Sequence, residues 1–152
     1  MLLRQTKEQL RRLGLRAKKG LGQHFLIDDR VLRRIVSAAE LSPFDTVVEV
    51  GPGLGILTRE LARRAGWVIA IEVDPRLASA LDEALAPLAN VTILSADVLE
   101  SDPKSLIEGA KGGLEASYKV VANLPYYIAS AVLRHFLEAS LKPETMVVTI
   151  QK

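Results

Sequence analysis

Five runs of apolar residues recur along the chain at intervals of one strand plus one helix: Thr46-Val-Val-Glu-Val50, Trp67-Val-Ile-Ala-Ile71, Val91-Thr-Ile-Leu94, Lys119-Val-Val-Ala122 and Met146-Val-Val-Thr-Ile150. Most are continuous rather than alternating. A strand with one wet face alternates apolar and polar positions, and a strand covered on both faces does not, so these runs predict the buried strands of a parallel sheet. Between them the apolar spacing is helical. Val31, Leu32, Ile35, Val36 and Ala39 form a stripe after Asp28, and Leu77, Leu81, Ala84 and Leu85 form another after Asp74-Pro75, an acid suited to capping followed by a proline suited to a first helical turn. Asp102-Pro103 opens a shorter helix. Val132, Leu133, Phe136 and Leu137 mark the last one, from about Ser130, and Gly66 reads as the stop of the helix after the first strand. Glu108 to Ser117, with Gly109, Gly112 and Gly113, reads as a surface loop.

Strands alternating with helices predict an α/β fold built on a doubly wound, mainly parallel sheet. Such sheets bind ligands outside the carboxyl ends of their strands, where the strand order reverses, so site residues are expected directly after strands. The chain of 152 residues is long enough for one domain with a real core. It stops inside or just after the fifth run, with no helix to cover that strand, which suggests a sheet truncated there. The composition, 49% hydrophobic and 25% charged, is that of a soluble globular protein, and no uncharged apolar run approaches the roughly 18 residues that span a bilayer. With no cysteine and no secretory signal at the start, a cytoplasmic location is expected.

Charge is unevenly placed. Residues 1–24 hold seven Lys/Arg, namely Arg4, Lys7, Arg11, Arg12, Arg16, Lys18 and Lys19, against Glu8 alone, whereas the rest holds 13 basic and 17 acidic residues. A basic arm of net +6 therefore precedes a body of net −4. Such an arm suits a polyanion, and it equally suits a solvated N-terminus. Charge alone does not choose between the two.

The first strand runs into Glu49-Val-Gly51-Pro-Gly53-Leu-Gly55 and then a helix, which brings backbone N–H groups close to a ligand at a helix N-terminus. The dinucleotide fingerprint requires glycine five positions after its first, and Ile56 stands there, so the pattern is G-x-G-x-G. A plain tight turn and a nicotinamide site are the competing readings. Glu72 and Asp97 follow the second and third strands. A carboxylate at the end of the second strand can accept both hydroxyls of a ribose, and Glu72 fits that role; each acid could also be a simple cap or turn residue. Asp74, beside Pro75, has the stronger capping claim and is set aside.

Asn123-Leu124-Pro125-Tyr126-Tyr127 follows the fourth run and is the most specific signal. It resembles the Asn-(Leu/Ile/Pro)-Pro-(Tyr/Phe) motif of methyltransferases that act on adenine N6 and a few other planar amines. An exocyclic amine is a poor nucleophile because its lone pair is conjugated into the ring. The Asn123 side-chain oxygen and the Leu124 carbonyl can accept its two hydrogens, Pro125 stiffens the turn, and Tyr126 can stack on the base. A structural turn followed by core tyrosines is the alternative. Lys19-Gly20-Leu21-Gly22-Gln23-His24-Phe25-Leu26 looks like a bent segment closing over a ligand, while His135, within a helical stripe, reads as a packing or surface residue.

Gly-Leu-Gly-Gln-His-Phe-Leu, Glu-Val-Gly-Pro-Gly-Leu-Gly and Asn-Leu-Pro-Tyr-Tyr in this order resemble the ribosomal RNA adenine N6,N6-dimethyltransferase family, from about Lys18 to the end of the chain. The resemblance implies a Rossmann-like S-adenosylmethionine-dependent methyltransferase fold over residues 25–152, after the basic arm of residues 1–24. It implies S-adenosylmethionine as cofactor, bound by His24, Leu26, Gly51, Gly53, Glu72 (ribose), Asp97 (adenine amine) and Asn123, with catalysis by Asn123, Leu124 and Tyr126 and no metal. Small-subunit rRNA in a pre-small subunit is the implied partner, met by Arg11, Arg12, Arg16, Lys18 and Lys19, with the protein acting as a monomer and dimethylating two adjacent adenosines near the RNA 3′ end. The family's resistance branch, acting on large-subunit rRNA, and a non-catalytic RNA-binding assembly factor are the alternatives. The family's further strands and helical C-terminal domain have no counterpart in this sequence, so turnover on rRNA by this chain alone is not implied.

Overall fold

The structure, a computed structural model, describes residues 28–111 and 117–151. In chain order the elements are α1 (Asp29–Ala39), β1 (Thr46–Val50), α2 (Ile56–Arg64), β2 (Trp67–Glu72), α3 (Pro75–Leu85), β3 (Val91–Ser95), a 3-10 turn (Val98–Glu100), α4 (Pro103–Lys111), β4 (Lys119–Pro125), α5 (Tyr126–Leu137) and β5 (Thr145–Gln151). The strands form one sheet in the order β3-β2-β1-β4-β5, and all neighbouring pairs are parallel. The order reverses between β1 and β4, so their carboxyl ends flank the crevice where such sheets take ligands.

Both faces of the central strands β1, β2 and β4 are covered, as their continuous apolar runs require. The edge strands β3 and β5 are only partly buried, because each has a neighbour on one side alone. Every residue of β1 is buried. Val47, Val68 and Val121 pack on one face against Leu32, Ile35 and Val36 of α1 and Leu57 and Leu61 of α2. Val48, Ile69 and Val120 pack on the other against Val98, Ile107 of α4 and Ala129, Val132 and Phe136 of α5. Asp28 caps α1 by accepting from the Arg30 N–H at 2.7 Å. Asp74 caps α3, accepting from Arg76 and Leu77 N–H, with Pro75 in the first turn.

Several boundaries differ from the sequence expectation. α5 starts at Tyr126 rather than near Ser130, and its buried side is Ala129, Val132 and Phe136, with Leu137 exposed. Ala84 likewise faces water. The expected loop from Glu108 is helical through Lys111, because α4 continues past Gly109. Gly66 does not end α2 by a left-handed turn: Ala65 is the C-cap, in extended conformation. Glycine is needed at 66 for space, since a Cβ there would collide with the Pro43 carbonyl oxygen while the Gly66 N–H donates to Asp45 O at 2.9 Å.

One buried cation ties the bottom of the fold together. Lys119, which opens β4 and is 8% exposed, donates from Nζ to the carbonyls of Ala39 (3.2 Å) and Glu40 (2.9 Å) and to Asp45 Oδ2 (3.2 Å). Glu40 ends α1 in the left-handed region at φ 46°, a conformation that costs a residue with a Cβ about 1 kcal/mol or more. The ammonium caps the carbonyls exposed by that turn.

Candidate functional site

The carboxyl end of β1 becomes a turn in which Gly51, Gly53 and Gly55 all have positive φ, at 71°, 59° and 80°. Two of these glycines differ in what surrounds them. A Cβ at Gly51 would meet nothing within 4 Å, so the missing side chain leaves open room beside the backbone. A Cβ at Gly55 would come within 3.0 Å of Leu81 and 3.2 Å of Leu85 of α3, so this glycine lets two helices pack closely. Gly55 is also the N-cap of α2 and offers no side-chain cap to its first N–H groups.

Two carboxylates lie beneath this turn. Glu49, in β1, is 1% exposed, and Thr58 of α2 donates its hydroxyl to Oε1 at 2.5 Å. Burial pushes the Glu49 carboxyl up to about 8, opposed by the Thr58 hydrogen bond and reinforced by the nearby Glu72 charge. Glu72, the last residue of β2, is 4% exposed and is met by the backbone N–H groups of Asp74 (3.0 Å), Gly53 and Val73. Burial pushes the Glu72 carboxyl above its ordinary range too, against those hydrogen bonds. Glu72 therefore joins the glycine turn to the end of β2, a structural duty beside the ribose contact that sequence assigned to it.

Asp97 follows β3 and caps the 3-10 turn, its Oδ1 accepting from Leu99 N–H at 3.0 Å. The turn is strung between two neighbours: Ala96 N–H donates to Glu72 O at 3.0 Å, and the Ser101 carbonyl meets His135 Nε2 at 2.7 Å. His135 is thus engaged with another element rather than being a plain packing residue.

Asn123, Leu124 and Pro125 do not follow the fourth strand, as the sequence suggested, but are its last three residues. They pair with Thr149, Ile150 and Gln151 of β5. Pairing with β1 stops one step earlier, at Val50 and Ala122, so from Asn123 onward the β1 side of β4 borders the glycine turn. Asn123 Oδ1 is shut off from solvent and has no hydrogen-bond partner among the described residues. Tyr126 and Tyr127 open α5 and remain 64% and 55% exposed, far from the core role that an apolar helix start would give them. Their rings meet edge to face, with centroids 5.9 Å apart at 84°, which leaves aromatic surface available to a flat ligand.

The carboxyl ends of β1, β2 and β4 thus carry the glycine turn with Gly51 and Gly53, Glu72 and Asn123. His24 and Leu26, and the basic residues Arg11, Arg12, Arg16, Lys18 and Lys19, lie outside the described residues. Sequence reasoning passed over Glu49, whose signal was an acid inside a continuous apolar strand. Among the described residues no cluster of three or more His, Cys, Asp or Glu side chains could hold a metal ion, and no helix is long and apolar enough to cross a membrane.

Both the sequence and the fold match known proteins. A family model described as ribosomal RNA adenine dimethylase matches residues 14–152. The ribosomal RNA small subunit methyltransferase A of Dehalococcoides mccartyi is 54% identical over 151 residues, which is 99% of this chain and 50% of that protein. The chain spans about half the length of the curated relatives it matches. Among solved structures, the 23S rRNA methyltransferase ErmE aligns with a TM-score of 0.69 at 39% identity, covering 82% of this chain and 48% of that one. A dimethyladenosine transferase from Plasmodium falciparum aligns with a TM-score of 0.68 at 25% identity, covering 85% and 44%.

Proposed function

The chain belongs to the ribosomal RNA adenine dimethylase family, and from that premise we propose that it is the cofactor-binding and amine-activating part of an RNA adenine-N6 dimethyltransferase. Its substrate is small-subunit rRNA, at two adjacent adenosines near the 3′ end, met while the small subunit is assembled in the cytoplasm. The observation that carries the reading is the Asn123 carboxamide oxygen, buried and without a partner among the described residues at the end of β4. A buried acceptor left unpaired costs about 1–3 kcal/mol, and an amine hydrogen of a target base is the donor that would remove this cost.

The residues present fit S-adenosylmethionine, which when bound supplies an electrophilic methyl group on a cationic sulfur. Gly51 leaves backbone room for it with Gly53 in the same turn, Glu72 accepts its ribose hydroxyls, and Asp97, whose Oδ1 is engaged by Leu99 N–H, accepts from its adenine amine. His24 and Leu26 are further cofactor contacts by their place in the Gly-Leu-Gly-Gln-His-Phe-Leu motif. Asn123 Oδ1 and the Leu124 carbonyl accept the two N6 hydrogens of the target adenine and turn its lone pair out of conjugation. Tyr126 stacks on the flipped base. Alkylation makes the remaining N–H acidic, so no strong general base is needed. Arg11, Arg12, Arg16, Lys18 and Lys19 meet RNA phosphates, and the protein acts as a monomer.

Greater identity to the small-subunit enzyme than to ErmE, 54% against 39%, favours the small-subunit target over the large-subunit one. Intact Asn123 and Tyr126 favour an enzyme over a non-catalytic assembly factor. The deciding measurement is methyl transfer from labelled S-adenosylmethionine to under-methylated small subunits, naked rRNA and large subunits, by a protein of the relatives' full length that contains this chain. Label on small-subunit adenosines is expected. Label on large subunits alone, or no label despite bound cofactor, overturns the reading.

A further inference from the structure

His135 is the residue for which neither the motifs nor the proposed chemistry accounts. It lies in the last turn of α5, about 13 Å along the helix from Tyr126. Its Nε2 sits 2.7 Å from the Ser101 carbonyl, which only accepts, so Nε2 carries the hydrogen. Ser101 in turn donates its hydroxyl to the Asp97 carbonyl at 2.8 Å, and Asp97 Oδ1 accepts from Leu99 N–H. Apolar packing follows the same route: Val98 of the 3-10 turn, 5% exposed, lies in one cluster with Val132 and Phe136 of α5. The imidazole meets the Phe136 ring edge to face at 5.7 Å.

The turn bearing Asp97 therefore has an anchor on either side of that acid, Ala96 on the Glu72 carbonyl and Ser101 on His135. The internal bonds of this short 3-10 turn, Leu99 N–H to Asp97 Oδ1 and Glu100 N–H to the Asp97 carbonyl, set the side chain within the turn but not the turn within the fold. The bonds to Glu72 and His135 are what tie the turn to the elements around it. We propose that His135 is a positioning residue for recognition of the cofactor's adenine: it holds the Asp97 turn against the helix that begins at the Asn123 motif. The inference rests on the assignment of Asp97 to the adenine amine. It also joins the two halves of the site, because the helix that starts beside the target-amine motif ends on the turn that reads the cofactor.

The test compares binding of S-adenosylhomocysteine with its 6-deaminated analogue, in which hydrogen replaces the exocyclic amine, by calorimetry on the chain and its variants. Asp97→Ala should erase the preference for the amine-bearing ligand. His135→Phe, which keeps the ring packing but not the donor, should weaken S-adenosylhomocysteine about three- to tenfold and leave the analogue within about twofold. His135→Gln, which restores an N–H donor, should recover most of that loss. A purely structural tie would lower the melting temperature while moving both ligands alike. Equal weakening of both ligands, or no change for either while Asp97→Ala remains effective, overturns the positioning role. If Asp97→Ala leaves the preference intact, the adenine assignment itself fails and the inference falls with it.

Discussion

Thr58, in the first turn of α2, donates its hydroxyl to Glu49 of β1 at 2.5 Å, and both side chains are sealed from solvent beneath the glycine turn. The pair staples the strand to the helix that the turn connects. Burial raises the Glu49 carboxyl from its ordinary 4.5 to about 8, so the folded protein binds this proton more tightly than the unfolded chain. Its contribution to stability is full below about pH 4.5, declines between pH 4.5 and 8, and is flat above. Glu49→Gln keeps an acceptor for Thr58 and cannot ionise. Its melting temperature, followed from acid to alkaline pH without cofactor, should lose that decline and exceed the parent's at alkaline pH. An unaltered slope would show that Glu49 is ionised in the fold.

Glu72→Ala should weaken S-adenosylmethionine binding about ten- to hundredfold, through loss of charge-assisted hydrogen bonds worth roughly 1.5–3 kcal/mol. Because Glu72 also receives the Gly53 and Asp74 N–H groups, Glu72→Gln is the informative partner. It keeps an oxygen acceptor for the backbone and loses the charge. Calorimetric affinity equal to the parent's in both variants would remove Glu72 from the ribose site.

Asn123→Ala and Tyr126→Ala should differ in kind, in the full-length context. If Asn123 acts on the amine as it reacts, as proposed, its loss should lower the single-turnover rate about 10²- to 10³-fold with cofactor affinity nearly preserved. Tyr126→Ala should weaken RNA capture by about 1–3 kcal/mol of stacking, with Tyr126→Phe much milder. A single-turnover rate for Asn123→Ala within about threefold of the parent, against the loss expected of a group at the reacting atom, would make the motif purely structural.

Lys119→Met should destabilise the fold by about 2–4 kcal/mol, since it strips the donor from two carbonyls and the Asp45 carboxylate at a site 8% exposed. The site lies at the opposite end of β4 from Asn123. Chemical denaturation should register the loss, and cofactor affinity should not change. A drop in affinity at temperatures where the variant is fully folded would contradict that separation.

Deleting residues 1–18 should weaken rRNA binding and flatten its salt dependence while leaving cofactor affinity intact, because released counterions scale with the phosphates neutralised. An unchanged slope of log affinity against log salt would return the arm to a solvated N-terminus.

The alternation of apolar runs with helical stripes was enough to determine the elements and the parallel sheet. Burial on both faces forces continuous apolar sequence, and the five runs all lie within strands. The motif acids and Asn123 were readable for a related reason: an open parallel sheet puts ligands at strand ends, so polar residues ending an apolar run stand out. Helix ends were less readable. α5 starts at Tyr126 because Pro125 fixes the entry to the helix, although its first residues show no apolar period.

Relations across the sheet were decided by the tertiary structure. Register sets Asn123 one step past the last β1 pair, and no local pattern encodes register between strands far apart in sequence. The Thr58 bond to Glu49, the Lys119 clamp on Glu40 and Asp45, and the His135 contact with Ser101 each join groups whose sequence separation carries no period. Gly66 shows the limit most clearly. Its sequence reads as a helix stop, yet what demands glycine is the carbonyl of Pro43, brought against it only when the strands pair and the connections fold back over their ends. Local sequence determines which conformations a segment prefers; which distant atoms it must then accommodate is settled by packing.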